Sequence, residues 1–179
     1  MLKRNVFLIG PMGSGKSTIG RYLSEELNVK FFDSDSEIEK RSGVDINWIF
    51  DVEGESGFRN REKKIIEELV LKRNIILSTG GGSILSSRVR NLLSSNGIII
   101  YLNISIEEQL FRTRFDKKRP LLLDKGKSRY EVLKTLYSER NLLYSEISDF
   151  IINVDKKSVK IISDKIINFL VNKNILSIY

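Results

Sequence analysis

Short apolar runs recur along the chain, and most are followed by polar or glycine-rich residues and then by a longer stretch with helical spacing. Asn5 to Ile9 (NVFLI) is the first, of the kind found in a strand buried on both faces. Gly10-Pro11-Met12-Gly13-Ser14-Gly15 follows it, and Lys16 to Leu27 then places Ile19, Leu23 and Leu27 on one helical face. Val29 to Phe32 predicts a second strand, closed by Asp33. Residues 34–72 read as mostly helical, with breaks near Gly43 and at Gly54 and Gly57; in the last of these helices Ile65, Ile66, Leu69 and Val70 form the inner stripe. Asn74 to Leu77 predicts a third strand, followed by Ser78-Thr79-Gly80-Gly81-Gly82. A helix over Ser86 to Ser95, a strand over Gly97 to Leu102 and a helix from Ile106 to Arg112 come next. Beyond a basic segment containing Pro120 lie a long helix, Arg129 to Ile147, a fifth strand, Phe150 to Val154, and a closing helix, Val159 to Leu170.

Strands that alternate with helices predict βαβ units, hence an α/β protein with a parallel sheet and helices on both faces. Ligands in such sheets bind beyond the carboxyl ends of the strands. The three chemically unusual segments, after Ile9, Phe32 and Leu77, all fall at such ends. At 179 residues the chain is expected to form one domain, 1–179.

Composition narrows the chemistry. The chain has no cysteine and no histidine, which excludes disulfides, thiolate or imidazole metal sites, cysteine nucleophiles and Ser-His-Asp triads. Acid–base work must therefore rest on carboxylates, lysines or tyrosines. The net charge is +7, and the segment from Arg112 to Arg129, with eight basic and two acidic residues, holds +6 of it. So local a concentration fits a compact anion better than a long polyanion track. No stretch approaches the ~20 apolar residues of a membrane span, and Met1-Leu2-Lys3-Arg4 opens no secretory cleavage pattern. A cytoplasmic protein is expected.

Gly10-Pro11-Met12-Gly13-Ser14-Gly15-Lys16-Ser17 satisfies G-x-x-x-x-G-K-[ST] between a predicted strand and a predicted helix. Glycines let backbone amides approach phosphate oxygens, and the helix N-terminus adds partial positive charge. Lys16 would reach the β/γ-phosphates and the Ser17 hydroxyl would ligate Mg²⁺. A nucleoside triphosphate is the implied ligand. Asp33-Ser34-Asp35 offers two carboxylates to the same cleft, one to orient water on Mg²⁺ and one to align or deprotonate an attacking hydroxyl. The plainer reading is a helix cap by Ser34 or Asp35.

Arg59 and Arg61 are expected to open a helix, the unfavourable end for a cation, which suggests an anion held there; pairing with Glu55 or Glu62 is the alternative. Gly80-Gly81-Gly82 implies a side-chain-free surface beside a ligand, or else a plain flexible turn. Arg140, mid-helix near Glu139 and Tyr144, reads on its own as a surface ion pair. Trp48 is expected to pack within the small helical segment. The basic run from Arg112 to Lys127 reads as a flap that closes on phosphates and brings Arg119 onto the transferring group while excluding water, or else as a solvated loop.

Taken together, GPMGSGKSTIGR (10–21), DSDSEIEKRSG (33–43), FRNRE (58–62), STGGGS (78–83), DKKRPLL (116–122) and ERNLLYSE (139–146) closely resemble bacterial shikimate kinases, over about Asn5 to Leu170. The P-loop is common to many kinases; the ordered combination with DSD, FRxxE, GGG and RPLL is far more specific. The resemblance implies a P-loop fold like that of nucleoside monophosphate kinases, a three-layer αβα domain with a five-stranded parallel sheet. It carries a substrate-binding segment at about 34–61 and a lid at about 112–127. The implied reaction moves the γ-phosphoryl of ATP to the 3-hydroxyl of shikimate, with Mg²⁺, in chorismate and aromatic amino acid synthesis. By the same resemblance Gly13, Ser14, Gly15, Lys16, Ser17 and Thr18 bind ATP phosphates, Ser17 binds the metal, and Asp33 holds it through water. Asp35 orients the substrate hydroxyls and is a candidate base. Arg59 and Arg140 bind the carboxylate, beside a substrate contact at Gly80, Gly81 and Gly82. Arg119 is the lid arginine, Arg112 lies against adenine, and Lys157 is an adenine-side contact. Catalysis falls to Lys16, Asp35 and Arg119, in a monomer whose partners are the two small molecules, with no nucleic acid and no membrane. Arginine forks suit an acidic acceptor held beside a triphosphate better than lysines would.

Two departures stand out: many members have Ala where Ser14 stands and Pro where Leu142 stands, the latter close enough to alter how Arg140 is presented. The segment Asn172 to Tyr179 lies outside the resemblance and has no assigned role. The rivals are another small-metabolite kinase of this fold, such as one for gluconate, and a basic nucleic-acid module. The second would need aromatics interleaved with the basic residues for base stacking, and the segment offers Phe115 and Tyr130 alone.

Overall fold

The computed structural model describes residues 2–116, 120–122 and 126–176. Five parallel strands, β1 (Asn5–Ile9), β2 (Lys30–Asp33), β3 (Ile75–Ser78), β4 (Gly97–Asn103) and β5 (Phe150–Asn153), lie in the order β2-β3-β1-β4-β5. The helices between them are α1 (Lys16–Glu26), α2 (Ser34–Ser42), α3 (Ile46–Leu69), α4 (Ser87–Asn96), α5 (Ile106–Thr113) and α6 (Arg129–Ile147), and α7 (Val159–Asn172) closes the chain. Single 3₁₀ turns at Ser83–Leu85 and Pro120–Leu122 are additions that the apolar spacing did not signal.

Strand side chains alternate between two cores, as the pleat requires. Phe7 and Ile9 of β1, Ile75 and Leu77 of β3, and Ile99 and Tyr101 of β4 join the core that includes Ile65, Ile66 and Leu69 of α3 and Leu93 of α4. Val6, Leu8, Ile76, Ile98, Ile100 and Leu102 join the other, with Ile19 and Leu23 of α1 and Ile162, Ile166 and Leu170 of α7. The central strands β1 and β3 are wholly buried, whereas the edge strands β2 and β5 are partly open.

The helical stretch after β2 breaks where glycine takes a left-handed φ, at Gly43 (69°) and Gly54 (71°). Gly57 continues the helix, contrary to expectation. The cap of α2 is Asp33, whose carboxylate accepts from the amides of Asp35 and Ser36, rather than Ser34 or Asp35. The segment after Asn172 acquires a role: Lys3 N–H donates to the Ile175 carbonyl (2.8 Å), Leu2 bridges Leu176, and Ile175 is buried. Ile175 and Leu176 thus lie beside the residues that lead into β1, away from the strand ends that carry the chemistry. Trp48 stands 47% exposed rather than packed. No helix among the described residues is long and apolar enough to cross a membrane.

Buried Asn5 fastens the start of β1 to the α3–β3 connection. Its amide donates to the carbonyls of Val70 (3.3 Å) and Lys72 (2.6 Å), and its Oδ1 accepts from Ile75 N–H (3.2 Å). Asn5→Ala leaves these buried groups unpartnered and is expected to cost about 3 kcal/mol. Urea denaturation of the two proteins checks this; an unchanged midpoint would show the bonds to be dispensable.

Candidate active site

Between β1 and α1 the chain wraps a loop whose shape depends on glycine. Gly13 and Gly15 have φ of 78° and 89°, a region open to few other residues. No side chain caps α1, so its first amides remain available to an anion. The Lys16 ammonium donates to the carbonyls of Gly10 (2.8 Å) and Pro11 (2.9 Å), which holds it over the loop. Gly13 to Thr18 line a cavity of about 520 Å³ together with Asp33, Arg112 and Lys157. Arg112 spans two walls of it, donating to the carbonyls of Gly13 (3.3 Å) and Val154 (3.0 Å) and pairing with Glu108 (2.8 Å). Lys157 is tied to Asn153 through its carbonyl oxygen (2.8 Å) and side chain (3.0 Å). The Ser17 hydroxyl donates to Asp33 Oδ2 (2.5 Å), an all-oxygen pair at the cavity's floor.

A second cavity, of about 320 Å³, adjoins the first. Asp35, Arg59, Gly80, Gly81, Gly82 and Arg140 line it, with apolar walls from Ile46, Phe50, Phe58 and Leu121. Met12, Asp35, Gly80 and Gly81 border both cavities, so Asp35 stands where the two meet. Asp33 ends β2 and caps α2, which turns Asp35, in the first helical turn, into this junction.

The triple glycine is a close-approach surface. A Cβ on Gly80 would lie 2.1 Å from Glu62 Oε1, and one on Gly82 would lie 2.1 Å from Arg59 Nη2. The shelf is anchored to α2 by the Gly80 N–H, which donates to the buried Ser34 hydroxyl (2.9 Å). A flexible turn does not describe it.

The two arginines are held differently. Arg59 pairs with Glu62 (2.7 Å) and Glu55 (3.0 Å) and leans over the Phe58 ring. Because the kink at Gly54 starts the second half of α3, Arg59 lies past the first turn, beyond the reach of the helix dipole. Its site is built by carboxylates, and the dipole argument fails for it. Arg61 pairs with Glu53 (2.6 Å) and is not among the residues lining the cavity. Arg140 is buried, not the surface ion pair its neighbours suggest, and its Nε finds no hydrogen-bond partner among the described residues. An unpartnered buried guanidinium nitrogen facing a cavity is suited to an anionic ligand.

Comparison with known proteins settles the family. A model for shikimate kinase matches residues 12–171. The chain belongs to the shikimate kinase family. Shikimate kinase 1 of Erwinia tasmaniensis is 58% identical over 168 residues, 94% of this chain and 96% of that protein. A shikimate kinase from Acinetobacter baumannii, solved in complex with shikimate, superposes with a TM-score of 0.92 at 39% identity, covering 97% of this chain and 96% of that one. A gluconokinase from Sinorhizobium meliloti, with a TM-score of 0.55 and 14% identity over 96% of this chain and 93% of that one, shares the fold alone.

Of the site residues that the resemblance to shikimate kinases implies, all but one line the two cavities. Arg119 lies outside the described residues, as do Lys117, Lys118 and Lys125 of the basic run. The two departures from the family pattern leave the cavity linings in place. Ser14 is buried in the loop, and α6 runs unbroken through the exposed Leu142 without drawing Arg140 to the surface.

Three contributors had no site role in the sequence reading. Met12, read only as a variable P-loop position, borders both cavities. Tyr144, buried against Tyr101, donates its hydroxyl to the Gly81 carbonyl. Glu62 reads from sequence only as an ion-pair partner for Arg59 or Arg61, yet it is buried and its Oε1 has no hydrogen-bond partner among the described residues. Its spacing of three from Arg59 on a helix was the available signal.

The Arg59–Glu62 pair is uneven. For Arg59, burial disfavours the charge, but Glu62 and Glu55 outweigh it and its pKa rises. For Glu62, burial dominates over the opposing pull of Arg59 and Arg140, and its pKa is also raised. The deeper burial of Glu62 and its half-satisfied carboxylate account for the difference.

A carboxyl whose pKa is higher folded than unfolded binds more protons in the folded state. Stability from it is present below the ordinary value and is lost as pH rises through the folded pKa. In Glu62→Gln this titration is gone. The stability of wild type relative to the variant is therefore expected to fall as pH climbs above about 4.5, the ordinary glutamate value. Denaturation midpoints at half-unit pH steps measure it, and a difference that grows with pH would show pairing to dominate.

Proposed function

We propose that this protein transfers the γ-phosphoryl group of ATP to the 3-hydroxyl of shikimate, giving shikimate 3-phosphate and ADP for chorismate synthesis. The observation that carries the reading is the junction of a P-loop cavity with a second, arginine-bearing cavity at Asp35. Phosphates on the loop amides and Lys16 would place the γ-phosphorus near that junction. Arg140 and Arg59 would hold the acceptor carboxylate, and their forks would fix its orientation bidentately. The acceptor hydroxyl would then face Asp35. Its oxygen attacks the γ-phosphorus as the bond to the bridging β-phosphate oxygen breaks. Asp35 aligns the hydroxyl and takes its proton.

Ser17 and Asp33 are the residues that would hold Mg²⁺. Their oxygen donors suit a hard cation that takes one or two protein oxygens and fills the rest of its shell with phosphate and water. Among the described residues no group of three or more carboxylates gathers as an all-protein metal cage. When bound, the metal neutralises charge on the β- and γ-phosphates.

We read Arg112 and Lys157 as the nucleotide-side contacts. Residues 34–61 serve as the acceptor-binding segment; the lid expected at 112–127, with Arg119, falls partly outside the described residues. The rival gluconate reading fits the arginines but not the walls. An open-chain polyol would set hydroxyls against Ile46, Phe50 and Phe58, where burial without a partner is unfavourable. A carboxylated ring with one apolar face suits them.

Two measurements test the proposal. In a coupled ADP-release assay with Mg²⁺, shikimate is expected to drive turnover far above the rates with gluconate or no acceptor. Preference for gluconate would overturn the assignment. Asp35→Asn is expected to lower kcat by roughly 10²–10⁴, and near-wild-type turnover would remove Asp35 from its role.

A further inference from the structure

We infer that Tyr144 is a positioning residue for the acceptor site, setting the glycine shelf and the buried arginine beside it as one unit. The inference rests on the acceptor reading above.

Tyr144 lies one turn beyond Arg140 on α6, so both project from one face of that helix. Both are buried. The Tyr144 hydroxyl donates to the Gly81 carbonyl. That carbonyl belongs to the same rigid peptide unit as the Gly82 N–H, so the bond fixes the plane of the whole unit. The far end of the unit, Gly82, is packed against the Arg59 guanidinium. The near end, Gly81, lies beside the P-loop, and a Cβ there would make ordinary contact with the Gly10 carbonyl oxygen (3.4 Å) and the Tyr144 hydroxyl (3.5 Å).

One hydroxyl therefore touches a peptide that borders the P-loop on one side and Arg59 on the other, while Arg140 stands beside the same hydroxyl. The phenol is well suited to a fixed donor. Burial pushes its pKa upward, so it keeps its proton, and the ring is held by stacking on Tyr101 at 4.9 Å. Tyr101 serves as the internal comparison. Its own hydroxyl bonds to Asn141 (2.8 Å) and Asn103 (3.1 Å) and does not touch the shelf.

Tyr144→Phe keeps the stacked ring and removes the donor. Shikimate KM is expected to rise roughly tenfold, the scale of one lost buried hydrogen bond. ATP KM should stay within about twofold, because the loop amides and Lys16 do not depend on that bond. Calorimetric titration of shikimate without nucleotide should show the same roughly tenfold weakening. Tyr101→Phe should leave shikimate KM unchanged. An unaltered shikimate KM in Tyr144→Phe overturns the inference. So does a parallel loss of ATP and shikimate affinity with a collapsed melting temperature, which marks packing alone. A wild type that turns over ATP but leaves shikimate untouched overturns both this inference and the acceptor reading.

Discussion

Space at Gly80 and Gly82 is the constraint on which the site depends. Glu62, Arg59 and Asp35 approach so closely that a methyl group on Gly80 or Gly82 would overlap them. Because no side chain fills that volume, a carboxylate and a guanidinium can press against main chain at the carboxyl end of β3. The shelf then becomes a common wall of the two cavities, and the P-loop packs on its other side. Remove the vacancy left by those absent side chains and Arg59 must swing away, taking its pairing with Glu62 along.

This arrangement also separates charge within a small space. The second cavity is not simply positive: Asp35, Glu39, Glu62 and Asp116 line it along with Arg59 and Arg140. The acids restrain the arginines. Glu62 and Glu55 fix Arg59 in one rotamer, so less side-chain freedom is lost when an anion arrives. Arg140 is instead fixed by burial, which leaves its Nε in want of an acceptor. One cation is held by charge and the other by packing, and both address the same cavity.

The difference explains what could be read from the chain alone. The P-loop is legible because its function is local: glycine torsions, a helix start and a lysine within eight residues. The strands and their parallel sense are legible because β1, β3 and β4 are buried as near-continuous apolar runs. Arg140 is not legible from its neighbours, because its burial comes from packing with elements far away in sequence; the motif around it carried the assignment. The cap of α2 moved from Ser34 or Asp35 to Asp33 because the strand runs one residue longer than its apolar stretch, to Asp33. Ser34 is instead drawn inward to receive the Gly80 N–H, a bond across 46 residues that no local pattern encodes.

In this chain two arginines, a glycine shelf and a P-loop meet at one junction of cavities. A carboxylate acceptor brought beside a triphosphate meets like charge, and only cations already desolvated and aimed can offset that repulsion without a large reorganisation. Surface lysines would be screened and mobile. Burial solves the screening problem but creates another, since a buried guanidinium needs partners when no acceptor is bound. Glu55 and Glu62 meet that need for Arg59. For Arg140, Glu62 acts at longer range, and the shortfall is borne by the fold until an anion supplies it. Under the proposed acceptor reading, selectivity for an acidic acceptor would follow from that unmet need of Arg140 rather than from positive charge as such.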